Sequence, residues 1–164
     1  MLAVAWPLFW LCFIPVVLIE AEVAHRQLGL TRPQAIKISA IANGVSTLVG
    51  VPVVWLALVL IEMAIGLSFP GSHSTGTWYA LFPLMAAWLF PTDDVRIVFA
   101  AFVVLAIPFC LASIYLEARI AHRYLRQIEP ALVWKWARSA NILSYCGMVI
   151  VAAVFTVLHW PKAA

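Results

Sequence analysis

The chain has 164 residues, of which 65% are hydrophobic and only 10% charged, with a mean hydropathy of +1.02 and a formal net charge of +3. A soluble domain is nearer half apolar and a quarter charged, so this balance excludes an ordinary water-soluble fold and points to lipid as the solvent. The positive charge needs no nucleic-acid partner, because basic residues facing the cytoplasm account for it.

Four apolar stretches are long enough to cross a bilayer as helices, which takes about 20 residues. In chain order they cover residues 2–21, 38–61, 97–116 and 140–159. Helices are expected because lipid cannot satisfy an open backbone, and the runs lack the alternation of a barrel strand. The fold class is therefore an all-α integral membrane protein with four transmembrane helices.

The first stretch has no positive n-region and no small-x-small cleavage site before His25, so it is expected to be a retained span and not a signal peptide. Its helix is predicted to run on to Leu28. Gly29 suits a helix C-terminus, and Thr31-Arg32-Pro33-Gln34 has the form of a capping box opening the second helix. The second span ends near residue 61. Ser68 to Gly76 is rich in breakers, and Trp78 to Phe90 is apolar but too short to span, which suggests an interfacial or re-entrant segment, or a lid. Pro91-Thr92-Asp93-Asp94 offers N-cap chemistry for the third span. The last turn is Gln127-Ile128-Glu129-Pro130, with Pro130 in the first turn of the final helix. Three units follow: a first hairpin over 1–64, an outer connection over 65–95 and a second hairpin over 96–164.

The two hairpins share a sequence. Residues 19–28 are IEAEVAHRQL and residues 116–125 are LEARIAHRYL, identical at six positions and conservative at two more. Ala42, Asn43 and Ser46 then recur as Ala140, Asn141 and Ser144. Two matches in the same order indicate a tandem duplication. Two spans separate equivalent residues, so the copies share one orientation, and a pseudo-twofold axis along the membrane normal is expected.

Eight of the ten Lys and Arg residues lie in or beside the two hairpin turns. Both turns are therefore expected in the cytoplasm, with both termini outside and the plasma membrane, the inner one in bacteria, as the location. His25, Arg26, His122 and Arg123 form an interfacial basic cluster. The tryptophans concentrate at span ends, including Trp134 and Trp136 beside the second turn, as in an aromatic belt.

Glu20 and Glu117 are the leading candidate residues, since an ionisable group inside a membrane is costly and marks function by default. A blander reading has them capping or solubilising helix ends beside arginines, as Glu22 and Arg26 do at i, i+4. At 1.5 Å per residue, Glu20 and Asn43 lie at depths of about 15 and 20 Å from their turn, close enough to bond across the hairpin; Glu117 and Asn141 stand similarly. Ser39, Asn43, Ser46 and Gly50 share one helix face, where small and polar residues suit close packing as well as a site. The polar site expected from sequence is thus Glu20, Glu117, Asn43, Asn141, Ser46 and Ser144.

His25 and His122 invite a bis-histidine haem or metal reading. They lie off the glutamate face and each precedes an arginine, so interfacial charge is the better account and no metal or cofactor is expected. Cys12, Cys110 and Cys146 lack C-x-x-C pairing, and apolar packing suffices for them. No phosphate loop, dinucleotide fingerprint, nucleophile elbow or H-E-x-x-H helix is present. The expected function is transport or permeation of a small solute or ion. The alternative is a non-catalytic membrane subunit or scaffold, with lipid, a second copy or a complex as partner.

Overall fold

The computed structural model describes residues 2–68 and 95–158, with side chains over 12–61, 63–64 and 98–158. Every element among them is helical. Helix α1 spans Leu2–Leu28 and α2 spans Arg32–Val45. A π-helical turn, Ser46–Gly50, then joins α2 to α3, Val51–Ser68, so that the three make one long rod. Helices α4, Val95–Tyr124, and α5, Pro130–Leu158, form the second hairpin. Three stretches are long and apolar enough to cross a membrane: Arg32–Ile61, Val98–Tyr124 and Pro130–Leu158. The fold is that of an all-α membrane protein. The expected first span depends largely on side chains before Cys12, which lie outside the described residues, as do residues 69–94 of the outer connection.

Both turns follow from local chemistry. Gly29 has φ +65°, the left-handed conformation that ends α1 without steric cost. The Gln34 side chain accepts from the Thr31 backbone N–H at 3.1 Å and from its hydroxyl at 2.9 Å, which ties down the start of α2. Pro130 opens α5, where its missing N–H leaves no helical bond unmade. The π-turn comes just before Pro52, whose ring clashes with a regular i−4 carbonyl; the wider turn accommodates it. Nothing in the alignment of the two halves anticipated this turn, and the second hairpin continues as regular helix at the equivalent point.

The hairpins interlock. Helix α1 packs on α2 and on α5, while α4 packs on α5, α2 and the π-turn. Each first helix thus lies against the second helix of the other hairpin. The core occupies the inner half of the bundle and is built largely from alanine: Ala21, Ala24, Ala35, Ala42, Ala118, Ala121, Ala137 and Ala140. Small side chains let these backbones approach closely, the usual means of helix association where lipid provides no hydrophobic drive.

Burial repeats between the halves. Glu20, Ala21 and Ala24 are buried, as are Glu117, Ala118 and Ala121. In the second helices Ala35, Ile38, Ser39, Ala42, Asn43 and Ser46 are buried, and so, each ninety-eight positions on, are Val133, Trp136, Ala137, Ala140, Asn141 and Ser144. Trp136 corrects the expectation of a belt residue: it is fully buried, with its indole N–H donating to the Glu20 carbonyl at 3.1 Å. It fills the place that Ile38 takes in the first hairpin. Trp134, half-buried against Tyr115, is nearer the expected role.

Polarity is inverted relative to a soluble protein. Carboxyl, amide and hydroxyl groups lie inside, whereas Ile107, Leu111, Ile150, Val151, Val157 and Leu158 each expose more than 60% of their surface. An aqueous fold buries such side chains; a lipid-facing one has no reason to.

Candidate functional site

Glu20 and Glu117 stand on diagonally opposed helices and meet inside the bundle. Each is 0% exposed. Glu20 lies eight residues before the end of α1 and Glu117 seven before the end of α4, so both sit about 10–12 Å from the inner helix ends. Each glutamate takes one hydrogen bond from its own hairpin and one from the other. Asn43 Nδ2 donates to Glu20 Oε2, and Asn141 Nδ2 donates to Glu117 Oε2 at 2.7 Å. Ser144 Oγ reaches across to Glu20 Oε1 at 2.9 Å, and Ser46 Oγ to Glu117 Oε1 at 3.0 Å. The two carboxyl groups are joined through these shared donors: Asn43 bonds Glu20 through its amide, while its backbone carbonyl lies beside the Ser46 hydroxyl that reaches Glu117. Four carboxyl oxygens thus meet four protein donors in a pseudo-twofold arrangement.

The donors are themselves anchored, again alike in both halves. Asn43 Nδ2 also bonds the Ser39 carbonyl at 3.0 Å, and Asn141 Nδ2 the Ala137 carbonyl at 3.0 Å. Each nitrogen therefore has two acceptors, one for each hydrogen, which fixes the amide's orientation from its surroundings. Ser46 Oγ lies 3.1 Å from the Asn43 carbonyl and Ser144 Oγ 3.1 Å from the Asn141 carbonyl. Two buried atoms are left over: Asn141 Oδ1 and Ser39 Oγ have no partner. The π-turn begins at Ser46 and carries Gly50 so close to α4 that an added Cβ would meet Leu116 Cδ1 at 3.3 Å.

All six residues expected from sequence are thus brought together. The asparagine partners were expected within each hairpin; the serines were not expected to cross between hairpins, because a single hairpin gives no sign of its neighbour's register. Neither glutamate is paired with an arginine. Among the described residues the ion pair is Glu22–Arg26, at 2.7 Å on the exposed face of α1, where Arg26 holds the Glu22 carboxyl below its ordinary range. An open groove of about 440 Å³ beside it is lined by Leu18, Ile19, Val23 and Leu143 with that pair, and does not include the glutamates of the core.

The two histidines have parted. His25 is half-buried, and its Nδ1 lies 2.6 Å from the Leu30 carbonyl oxygen, closing the first turn. His122 is exposed with Arg123 in the last turn of α4, where positive charge suits the helix dipole. They do not converge. Among the described residues no three His, Cys, Asp or Glu side chains form a metal-binding group.

No protein-family model matches the chain, and comparison with curated proteins and with solved structures returns no match. Function must be argued from the carboxyl pair itself. Two buried carboxyls with no cationic side chain bonded to them among the described residues are costly to keep ionised, because burial disfavours the charged form.

Proposed function

We propose that the chain is a small integral-membrane protein of the transport or permeation type, acting alone or as a dimer, with Glu20 and Glu117 as its cation-responsive groups. Asn43, Ser46, Asn141 and Ser144 orient them. The chain is a tandem duplication of a helical hairpin, giving four spans. The matched burial of the two halves supports that history. The clustering of basic residues at the two turns supports a plasma-membrane topology with both turns in the cytoplasm. One observation carries the functional reading: a buried carboxyl pair in a pseudo-twofold arrangement, with every oxygen contacted by a donor and no ion pair to either glutamate among the described residues. A purely structural pair of polar groups would be less costly as amides, since an ionisable side chain at a helix centre in a membrane costs about 2.5–3.5 kcal/mol.

The test is flux. Purified protein in liposomes is assayed for proton, sodium and rubidium movement, with E20Q/E117Q beside the unaltered chain. Flux above the empty-liposome background for at least one ion, lost in the double variant, is expected. Equal flux in both proteins rejects the reading.

A scaffold role draws on a different observation, that Ser46–Glu117 and Ser144–Glu20 tie the two hairpins together. On that reading no ion moves, and the protein leaves native membranes bound to a second polypeptide. Recovery only as a free monomer counts against it.

A further inference from the structure

We infer that the cation held by the Glu20 and Glu117 pair is a proton, one for the two carboxyls, and that the serine hydroxyl facing the protonated carboxyl, Ser144 for Glu20 or Ser46 for Glu117, reverses its hydrogen bond as the proton arrives and leaves. The inference deepens the transport reading and rests on it for its place in function.

A serine hydroxyl has one hydrogen and two lone pairs. Ser46 Oγ has two acceptors in reach, Glu117 Oε1 at 3.0 Å and the Asn43 carbonyl at 3.1 Å, and can donate to only one. Ser144 Oγ has the same choice between Glu20 Oε1 at 2.9 Å and the Asn141 carbonyl at 3.1 Å. Toward an ionised carboxyl, the hydroxyl donates. Toward a protonated one it rotates, donates to its own helix carbonyl and accepts the carboxyl hydrogen. The hydroxyl's bond to the carboxylate is exchanged for one to the helix carbonyl and one from the carboxyl O–H, which needs only rotation of the hydroxyl hydrogen.

Two further buried polar atoms on the same helix faces are without a hydrogen-bond partner among the described residues. Asn141 is 1% exposed, its nitrogen is committed to two acceptors, and its Oδ1 accepts from nothing. Ser39 is fully buried with an unpartnered hydroxyl, one helical turn nearer the hairpin turn on the face that carries Asn43.

A metal or alkali ion fits poorly. Calcium takes about six to eight oxygen ligands and magnesium about six. Here the carboxyl oxygens are four, and each already faces an N–H or O–H. Both glutamates are fully buried, which a hydrated ion suits less well than a proton does. Paired buried carboxyls, by contrast, commonly hold one proton between the two groups' titrations. The other titratable groups are accounted for element by element. On α1, Glu22 is paired outward with Arg26 and His25 bonds the Leu30 carbonyl; on α2, Arg32 and Lys37 are exposed. On α4, Cys110 is half-buried, Arg119 lies over the Tyr115 ring, and His122 and Arg123 are exposed. On α5, Tyr145 shares a hydrogen bond with Ser113 at 3.2 Å, and Lys135, Arg138 and Cys146 are exposed.

The test is infrared difference spectroscopy of the full chain in lipid nanodiscs. Expected is the C=O band of one protonated carboxyl per chain at neutral pH, shifted in heavy water and unchanged when sodium is replaced by potassium or calcium is added. S46A/S144A should shift the band frequency, and E20Q/E117Q should abolish it. Carboxylate bands alone at neutral pH, or a band that follows the metal ion, would overturn the proposal. If E20Q/E117Q does not fold, the ion-exchange series and S46A/S144A decide the matter, because both keep the two glutamates. A proton band accompanied by flux unaffected in E20Q/E117Q leaves this inference standing and removes the transport reading. Flux lost in E20Q/E117Q, with a band that follows sodium, does the reverse.

Discussion

Replacing Asn141 by alanine removes the donor to Glu117 Oε2 and leaves a carboxyl oxygen buried without a partner. A hydrogen bond to a charged group contributes about 1.5–3 kcal/mol in soluble proteins, and abandoning a buried acceptor costs about 1–3 kcal/mol. Membrane proteins dilute such values, because the unfolded helices find other partners in lipid; measured interhelical bonds average about 0.6 kcal/mol and reach about 1.7. Asn141 and Glu117 are almost entirely buried and the bond is short, so the upper end applies. A double-mutant cycle on Asn141→Ala and Glu117→Gln, read from reversible unfolding in mixed micelles, should give a coupling of about 1.5 kcal/mol. The equivalent cycle on Asn43→Ala and Glu20→Gln serves as an internal control, since Asn43 makes the same pair of bonds. Its coupling should agree within about 0.5 kcal/mol, the ordinary error of such cycles. Couplings near or below about 0.6 kcal/mol at both sites would make these ordinary interhelical contacts and refute the special weight given to the pair.

Trp136→Phe keeps the buried ring but loses the bond to the Glu20 carbonyl, and should cost about 1 kcal/mol in the same unfolding assay; an unchanged stability means that the indole contributes by volume alone. Gly29→Ala should cost about 1–2 kcal/mol from backbone strain, because no atom lies within 4 Å of the added Cβ and the φ of +65° is the whole penalty. A circular-dichroism melt that matches the unaltered chain counts against a left-handed Gly29.

Much of the bundle was legible because its signals are local. The apolar runs located the three membrane-length helices found among the described residues, Gly29 and Pro130 marked the turns, and the recurring glutamate and asparagine gave the bond inside each hairpin from depth alone. What escaped depends on how the hairpins meet. Ser46 and Ser144 were visible as polar residues on a packing face, but the register between the hairpins decides that each serves the opposite carboxyl. Trp136 looked interfacial because it lies beside Lys135 and Arg138, yet the periodicity of α5 turns it onto the same buried stripe as Val133 and Ala140. The π-turn was hidden for a similar reason: Pro52 signals trouble with a regular helix, not which deformation resolves it.

The crossing of the serine bonds makes neither hairpin self-sufficient. Within its own hairpin Glu20 has Asn43 but not Ser144, and Glu117 has Asn141 but not Ser46. Each half therefore carries one carboxyl oxygen whose hydroxyl donor only the other half supplies. A chain that stops after α3 leaves that oxygen of Glu20 unanswered, a chemical mark by which an unfinished product differs from a finished one.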